Sequence, residues 1–417
     1  MSHKLSLLEI CAGAGGQGLG LHQAGFDHVL AVELDANAAQ TLRNNSDWSV
    51  VVGDVADPEV WDPSHFVGVD LFAGGVPCPP FSIAGKQLGS SDERDLFAWA
   101  IEQVAIIKPR ALLLENVRGL ASPRFAAYRQ RVLDRLSEFG YVGDWRLLYS
   151  ADFGVPQLRP RFVLVAMRPE DAEYFRWPEP LARRVHVGET LRDLMAANGW
   201  PHADAWAMLA DGVGPTLVGG SKKHGGADLG PTRAKQAWAA LAVDGRGVAN
   251  EAPGPEWPHP SEAAPRLTIE MVARLQGWVS DDDWHFAGLK TSKYRQIGNA
   301  FPPPVARAMG LSIARALNHD GLPHALPELA GDVHDPLYRE LAEAQDFVSL
   351  HRLVTLLNAN SEVLVQRRLA VLARDFHLDV RSTTDGAMYR LGAFKGFVGQ
   401  SDHDRHAYFE ANRSKIS

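Results

Sequence analysis

From Leu5 to about residue 167, short apolar runs alternate with longer amphipathic ones, the pattern of strands and helices wound about a parallel sheet. The runs predict strands over Lys4–Ile10, His28–Glu33, Val50–Gly53, Val69–Ala73, Ala111–Glu115 and Phe162–Met167, and a helix over Gly18–Ala24. Several of these strands end on Gly, Asp, Glu or Cys. Ligands of open α/β sheets sit at the strands' carboxyl ends, so chemistry is sought there.

Between 168 and 262 the texture changes to Gly, Pro, Trp and His with weak periodicity. A structureless loop of that length is improbable inside a compact domain, so the segment reads as an inserted, mostly irregular domain. Regular patterning resumes from Pro265 to about Asn318, as if the chain returned to the first domain, and 319–336, with Pro323, Pro327 and Pro336, reads as a linker. Beyond it, Phe347, Leu350, Val354 and Leu357 share one helical face, as do Val365, Leu369, Leu372 and Phe376. Asp379–Thr383 and Ala387–Leu391 flank a turn at Thr384-Asp385-Gly386. Residues 335–417 are therefore expected to form a small α+β, winged-helix-like module. The alternative is a helical tail packed on the main domain or on another subunit.

Composition narrows the class. The chain has 417 residues and a formal net charge of −8, from 42 Lys and Arg against 50 Asp and Glu. That excludes a basic protein that coats nucleic acid, while leaving room for a DNA enzyme with a local basic cleft. Two cysteines, Cys11 and Cys78, exclude a disulfide scaffold and a cysteine-rich zinc site. No run of about 18 apolar residues and no signal-peptide pattern are evident, so the expectation is a cytoplasmic protein without a membrane segment.

Four stretches carry candidate chemistry. Glu9-Ile10-Cys11-Ala12-Gly13-Ala14-Gly15-Gly16 runs from a strand into a glycine-rich turn, where the backbone can approach a ligand closely. Glu33 at the end of the second strand suits two ribose hydroxyls, and Asp54 at the end of the third suits an exocyclic amine. Together they specify no more than an adenosine-type ligand. In Gly74-Gly75-Val76-Pro77-Cys78-Pro79-Pro80-Phe81-Ser82, three prolines stiffen a loop around one cysteine at a strand's carboxyl end, a suitable place for a nucleophile. Glu115, in Leu114-Glu115-Asn116-Val117, would have a raised pKa if half-buried and could donate to a ring nitrogen. Arg159 and Arg161, in Gln157-Leu158-Arg159-Pro160-Arg161, would point the same way on an extended segment, towards a carboxylate, a phosphate or a base carbonyl.

Taken in order with Arg266-Leu267-Thr268, Arg274-Leu275-Gln276-Gly277-Trp278 and Gln296-Ile297-Gly298-Asn299-Ala300, these elements resemble the DNA (cytosine-5) methyltransferase family over roughly residues 5–315. The resemblance implies a Rossmann-like, S-adenosylmethionine-dependent α/β fold with a target-recognition insert. Its catalytic domain would be 1–167 plus 263–318, its recognition domain 168–262, and 335–417 an accessory module. By the same resemblance Cys78 is the nucleophile, Glu115 serves the ring nitrogen, Arg161 contacts the base carbonyl and Arg159 supports it. S-adenosyl-L-methionine would meet Cys11, Gly13, Ala14 and Gly16 at the turn, Glu33 and Leu34 at the ribose and adenine edge, and Asp54 and Val55 at the adenine. Pro77, Leu96, Asn299 and Ala300 would wall the pocket. Cys11 departs from the family's usual Phe and offers less π surface to the adenosine.

The partner implied is double-stranded DNA, contacted through Ser82, the Thr216-Leu217 pair, and a local basic loop of Lys222, Lys223, Arg233 and Lys235 with Asp228 as its one acid. A monomeric modification enzyme of a restriction-modification or phage-defence system is expected, with a cognate restriction endonuclease or defence partner. Three rivals remain: a tRNA-directed relative, favoured less because of the long insert; a silent DNA-binding member; and an NAD-dependent dehydrogenase, which leaves the Pro-Cys loop and Gln-x-Arg-x-Arg unexplained.

Overall fold

The computed structural model describes residues 4–77, 96–219, 227–279, 283–326, 335–359, 361–384 and 386–394. Cys78, Ser82, Lys222 and Lys223 lie outside them. Seven strands form the main sheet: β1 Leu5–Ile10, β2 Phe26–Glu33, β3 Val50–Val52, β4 Leu71–Gly74, β5 Ala111–Val117, β6 Val142–Tyr149 and β7 Pro160–Met167. Their spatial order is β3-β2-β1-β4-β5-β7-β6, with β7 antiparallel to both neighbours and every other pairing parallel. Order reverses between β1 and β4, whose ends pair at Ile10 and Gly74. Such a switch point opens a crevice at the carboxyl rim.

The strand missing from the sequence reading is β6. It lies at the sheet's edge with most of its residues partly or fully exposed, so Val142-Gly143-Asp144-Trp145-Arg146 shows no buried-strand run. Helices α1 Gly16–Gln23, α2 Ala36–Asn45, α3 Leu96–Ile107 and α4 Ala126–Glu138 connect the strands. Helix α1 starts two residues earlier than apolar spacing predicts, because glycines in its first turns serve close packing. A Cβ on Gly20 would lie 2.3 Å from the Pro303 carbonyl oxygen, and one on Gly16 2.5 Å from that of Phe301.

The segment after β7 is more helical than its weak periodicity suggests, with α5 Pro169–Ala172, α6 Val187–Ala196, α7 Ala203–Leu209 and α8 Thr232–Ala239. These are short helices, and a few turns leave little period to read. Next come α9 Ile269–Gln276, α10 Lys290–Asn299 and α11 Pro303–Leu317. Val187, Leu191, Trp206, Leu217 and Trp238 share one core with Leu267, Met271, Leu275, Tyr294 and Ile297. Packing thus places α9 and α10 in one core with the 168–262 segment, while Gln296 Oε1 on α10 accepts from the Thr41 hydroxyl on α2 at 2.6 Å. Of the returning chain, Phe301, Val305, Met309 and Ile313 pack on the sheet face beside α1.

The last part contains α12 Pro336–Ala344, β8 Val348–Ser349, α13 Leu350–Leu356, α14 Glu362–Asp375, β9 Phe376–Thr383 and β10 Gly386–Phe394, with a three-stranded antiparallel sheet ordered β8-β10-β9. Pro336, assigned to the linker from sequence, is instead the first residue of α12, where its fixed φ and missing N–H fit, and Asp335 caps that helix by accepting from the Leu337 and Tyr338 N–H groups. Phe347 and Phe376 leave the helical faces assigned to them. Ser349 caps α13 behind Phe347, and Phe376 opens β9.

Candidate active site

The glycine turn follows β1. Cys11, Gly13 and Gly15 all take positive φ, of 50°, 57° and 88°. At Gly15 a Cβ would also lie 2.6 Å from the Trp284 ring, so that position needs glycine on both counts. Glu33 at the end of β2 fixes the turn: its Oε2 accepts from the Gly13 N–H at 2.7 Å and its Oε1 from the Asp35 N–H at 2.7 Å. Burial pushes the Glu33 carboxyl upward in pKa, and these backbone donors pull it back. Each oxygen keeps a second lone pair for a ribose hydroxyl. Asp54 accepts from the Ala56 N–H at 3.0 Å and faces the same cavity.

That cavity has a volume of about 720 Å³ and opens at the switch point, within the range of cofactor sites. Every residue expected around the cofactor lines it, from Cys11 and Gly13 through Glu33, Leu34, Asp54 and Val55 to Pro77, Leu96, Asn299 and Ala300. Its far side holds Glu115 and Arg161. Glu115, two residues before the end of β5, pairs with Val163, and Arg161 sits two residues before that partner on β7 opposite Val117, so strand pairing sets Glu115 and Arg161 on neighbouring positions of one face. Arg161 Nε lies 2.6 Å from Glu115 Oε1, with both side chains 9% exposed. Burial raises the Glu115 pKa from its ordinary 4.5, while the Arg161 and then the Arg159 charge hold it down.

Arg159 does not share Arg161's direction. Its φ of 25° breaks the extended path on which alternation depends. Its guanidinium is fully buried, donating to the carbonyls of Leu217, Gly298 and Ala300 at 2.7, 2.8 and 2.7 Å. It is absent from the cavity wall. Arg159 is thus a positioning residue that ties the Thr216-Leu217 segment to the Gly-Asn-Ala loop. Gln157 acts alike, accepting from the Leu217 N–H at 3.0 Å and donating to the Leu275 carbonyl at 2.8 Å.

Among the residues expected at DNA, Thr216 and Leu217 both line the cavity, the Leu217 side chain being fully buried in the α6–α10 core, which anchors the pair. Lys235 is paired with Asp228 at 2.7 Å, and Arg233 is exposed on α8. Neither lines the cavity.

Two site residues carried no role in the sequence reading. Asn116 donates to the Val76 carbonyl at 3.2 Å and so fixes the base of the loop that leads to Cys78. Among the described residues, Gln17 is buried with no hydrogen-bond partner for either side-chain atom, and it lines the cavity. A Cβ on Gly75 would stand 3.6 Å from Glu115 Oε2 and 4.0 Å from Gln17 Oε1, so the amide and the carboxyl flank the same glycine. A polar residue one place after the last glycine of the turn was the available signal.

A parallel sheet with a glycine turn, acidic strand ends and a buried carboxyl–guanidinium pair defines an α/β enzyme that binds a nucleoside-type cofactor beside its reacting group. The model of the C-5 cytosine-specific DNA methylase family matches residues 5–315, and the chain belongs to that family. It is 58% identical over 415 residues, 99% of each chain, to the Type II methyltransferase M.NaeI of Lentzea aerocolonigenes. With the Type II methyltransferase M.NgoMIV of Neisseria gonorrhoeae it shares 48% over 318 residues, 75% of this chain and 98% of that one. In fold it is similar to a prophage-encoded DNA modification methyltransferase of E. coli, at a TM-score of 0.51 and 21% identity, covering 75% of this chain and 99% of that one. The DNMT2 structure from Spodoptera frugiperda gives a TM-score of 0.51 at 16% identity, covering 74% and 99%. The activity is methylation of carbon 5 of cytosine in DNA. No helix among the described residues is long and apolar enough to cross a membrane.

Proposed function

We propose that the cofactor is S-adenosyl-L-methionine, held by the turn Gly13–Gly16 with Glu33 at the ribose and Asp54 and Val55 at the adenine. When bound, it supplies an electrophilic methyl on a positively charged sulfur. The observation that carries this reading is the continuity of one cavity from Glu33 and Asp54 to Glu115 and Arg161, with Pro77 on its wall.

Carbon 5 of cytosine is too weak a nucleophile unaided. The Cys78 thiolate adds to carbon 6, and the ring's electron pair moves to carbon 5. Glu115 neutralises the ring nitrogen by donating its proton, and Arg161 holds both Glu115 and the base carbonyl. Carbon 5 then takes the methyl. A base, water or hydroxide, removes the carbon 5 proton, the thiolate leaves carbon 6, and the nitrogen's proton returns to Glu115. A duplex hides carbon 6, so the base must swing into the cavity, at a cost of about a few kcal/mol of unstacking.

The segment 168–262, with Thr216 at the cavity and Arg233 outside it, reads the target sequence. The relatives named above are Type II methyltransferases, which supports a restriction-modification setting; in it the enzyme acts as a monomer beside a cognate endonuclease. Bisulfite sequencing of plasmid from expressing cells, against a Cys78→Ala control, tests the reading. Protected cytosines at one short motif, lost in the control, are expected. Protection that survives Cys78→Ala refutes the covalent route, and full conversion in both refutes DNA methylation by this chain.

A further inference from the structure

The family match ends at residue 315, so nothing in it accounts for α12 to β10. Their order is helix, strand, helix, helix, strand, strand, with only residues 357–361 between α13 and α14, close to the spacing of helix-turn-helix units. The unit is seated firmly on the catalytic body. Phe394 packs its ring 5.7 Å from that of Tyr128 on α4, and the Tyr338 hydroxyl donates to Asp134 at 3.0 Å. That contact uses α12 and the end of β10. Helix α14 turns Val365, Leu369 and Leu372 into the shared core.

The opposite side of α14 faces solvent. Val363, Gln366, Arg367, Ala370 and Arg374 recur there at i, i+3, i+4, i+7 and i+11, and all five are exposed, Val363 at 53%. Both charges on this stripe are arginines. Glu362 and Asp375, at the ends of α14, stand about 100° and about 120° around the helix from its centre. Three further carboxylates of the unit are engaged by arginines off the stripe: Glu340 by Arg352 at 2.5 Å, Asp335 by Arg368 at 3.7 Å and Asp379 by Arg390 at 2.6 Å. No carboxylate of α14 lies on the stripe, which leaves a solvated apolar-and-cationic helix face, and the β9–β10 hairpin is exposed at Thr383 and Thr384.

We propose that this unit is a second duplex-DNA-binding site, separate from the cytosine pocket, in which the outward stripe of α14 lies in a major groove. A groove about 12 Å wide admits such a helix. Arg367 and Gln366 carry the donor patterns that read guanine and adenine edges, while Val363 and Ala370 suit thymine methyls. Arg374 and the hairpin end meet phosphates. Duplex DNA is the ligand whose charge and groove match this face, and it is already the enzyme's substrate. The assignment of the cytosine pocket stands apart and is read separately below.

The test uses the full chain and an Arg367→Ala/Arg374→Ala variant, both exposed positions, with matched melting temperatures as the folding control. Duplexes selected from a random library should show two motifs for the native chain, the one found methylated by bisulfite and one unmethylated, and the variant should lose only the second. On a duplex carrying the second motif, the slope of log affinity against log salt should fall by about 1, the counterion displaced by Arg374 at phosphate, while loss of Arg367 removes the base readout that selects the motif. Methylation of the first motif at saturating enzyme should persist in both proteins. If it is absent from both, the catalytic reading fails, while the selection still decides this one. A single, methylated motif with an unchanged salt slope overturns the proposal. So does a concentration-dependent dimer that the variant abolishes without any change in the selected motifs, since the stripe would then join two copies of the chain.

Discussion

Removing Arg161 and removing Glu115 should cost the protein differently, and the difference should depend on pH. The two charges meet at 2.6 Å with 9% of each side chain exposed. Two unit charges about 4 Å apart at an effective dielectric near 20 attract by about 4 kcal/mol, and breaking a buried pair by truncating one partner costs about 3–5 kcal/mol. In Glu115→Gln the guanidinium keeps its charge at every accessible pH, because arginine cannot discharge, so the cost should stay at about 3–5 kcal/mol throughout. In Arg161→Met the stranded partner is a carboxyl, which can escape by binding a proton.

Glu115 already has a folded pKa raised above the ordinary 4.5, and Arg161 is the larger of the two charges that hold it down. Deleting Arg161 raises it further. A carboxyl with a raised folded pKa contributes stability that is fully present below 4.5 and is lost as pH rises through the folded value. The penalty of Arg161→Met should therefore be about 1 kcal/mol near pH 4.5 and should climb towards about 3–5 kcal/mol by pH 8. Urea unfolding followed by circular dichroism across that range measures both variants against the native chain. A flat Arg161→Met penalty, or a Glu115→Gln cost below about 1 kcal/mol, refutes the reasoning.

Three further outcomes follow from the same geometry. Arg159→Met should cost about 3–5 kcal/mol, since it strands the Leu217 and Gly298 carbonyls and leaves Ala300 only its bond from Gln276, and limited proteolysis should then cut residues 168–262 first; an unchanged cleavage pattern counts against the tie. Gln17→Leu removes two unpartnered buried atoms, so calorimetry should show S-adenosylmethionine binding weakened about tenfold if the cofactor completes that amide. Unchanged affinity with higher stability would show that Gln17 meets no ligand. Gly298→Ala would set a Cβ 2.5 Å from the Gly219 Cα, backbone against backbone, and should cost about 1–3 kcal/mol; an unshifted melting temperature contradicts that approach.

What the sequence disclosed and what it hid divide along a physical line. Local order was visible: buried parallel strands are apolar runs, and their polar ends mark the rim, so Glu33, Asp54 and Glu115 could be placed before any coordinates. The Arg pair misled because alternation assumes extended backbone, and a single residue at φ 25° turned Arg159 from the cavity to three carbonyls brought from residues 217, 298 and 300. Those partners lie 58 to 141 positions away, beyond any spacing rule. Gln17 was hidden differently: its role depends on an absence of partners, which only packing reveals. The residues legible from sequence are thus those whose chemistry is set by their own strand. Those that hold the insert against the sheet are set by contacts across the chain, and they are where the stability predictions fall.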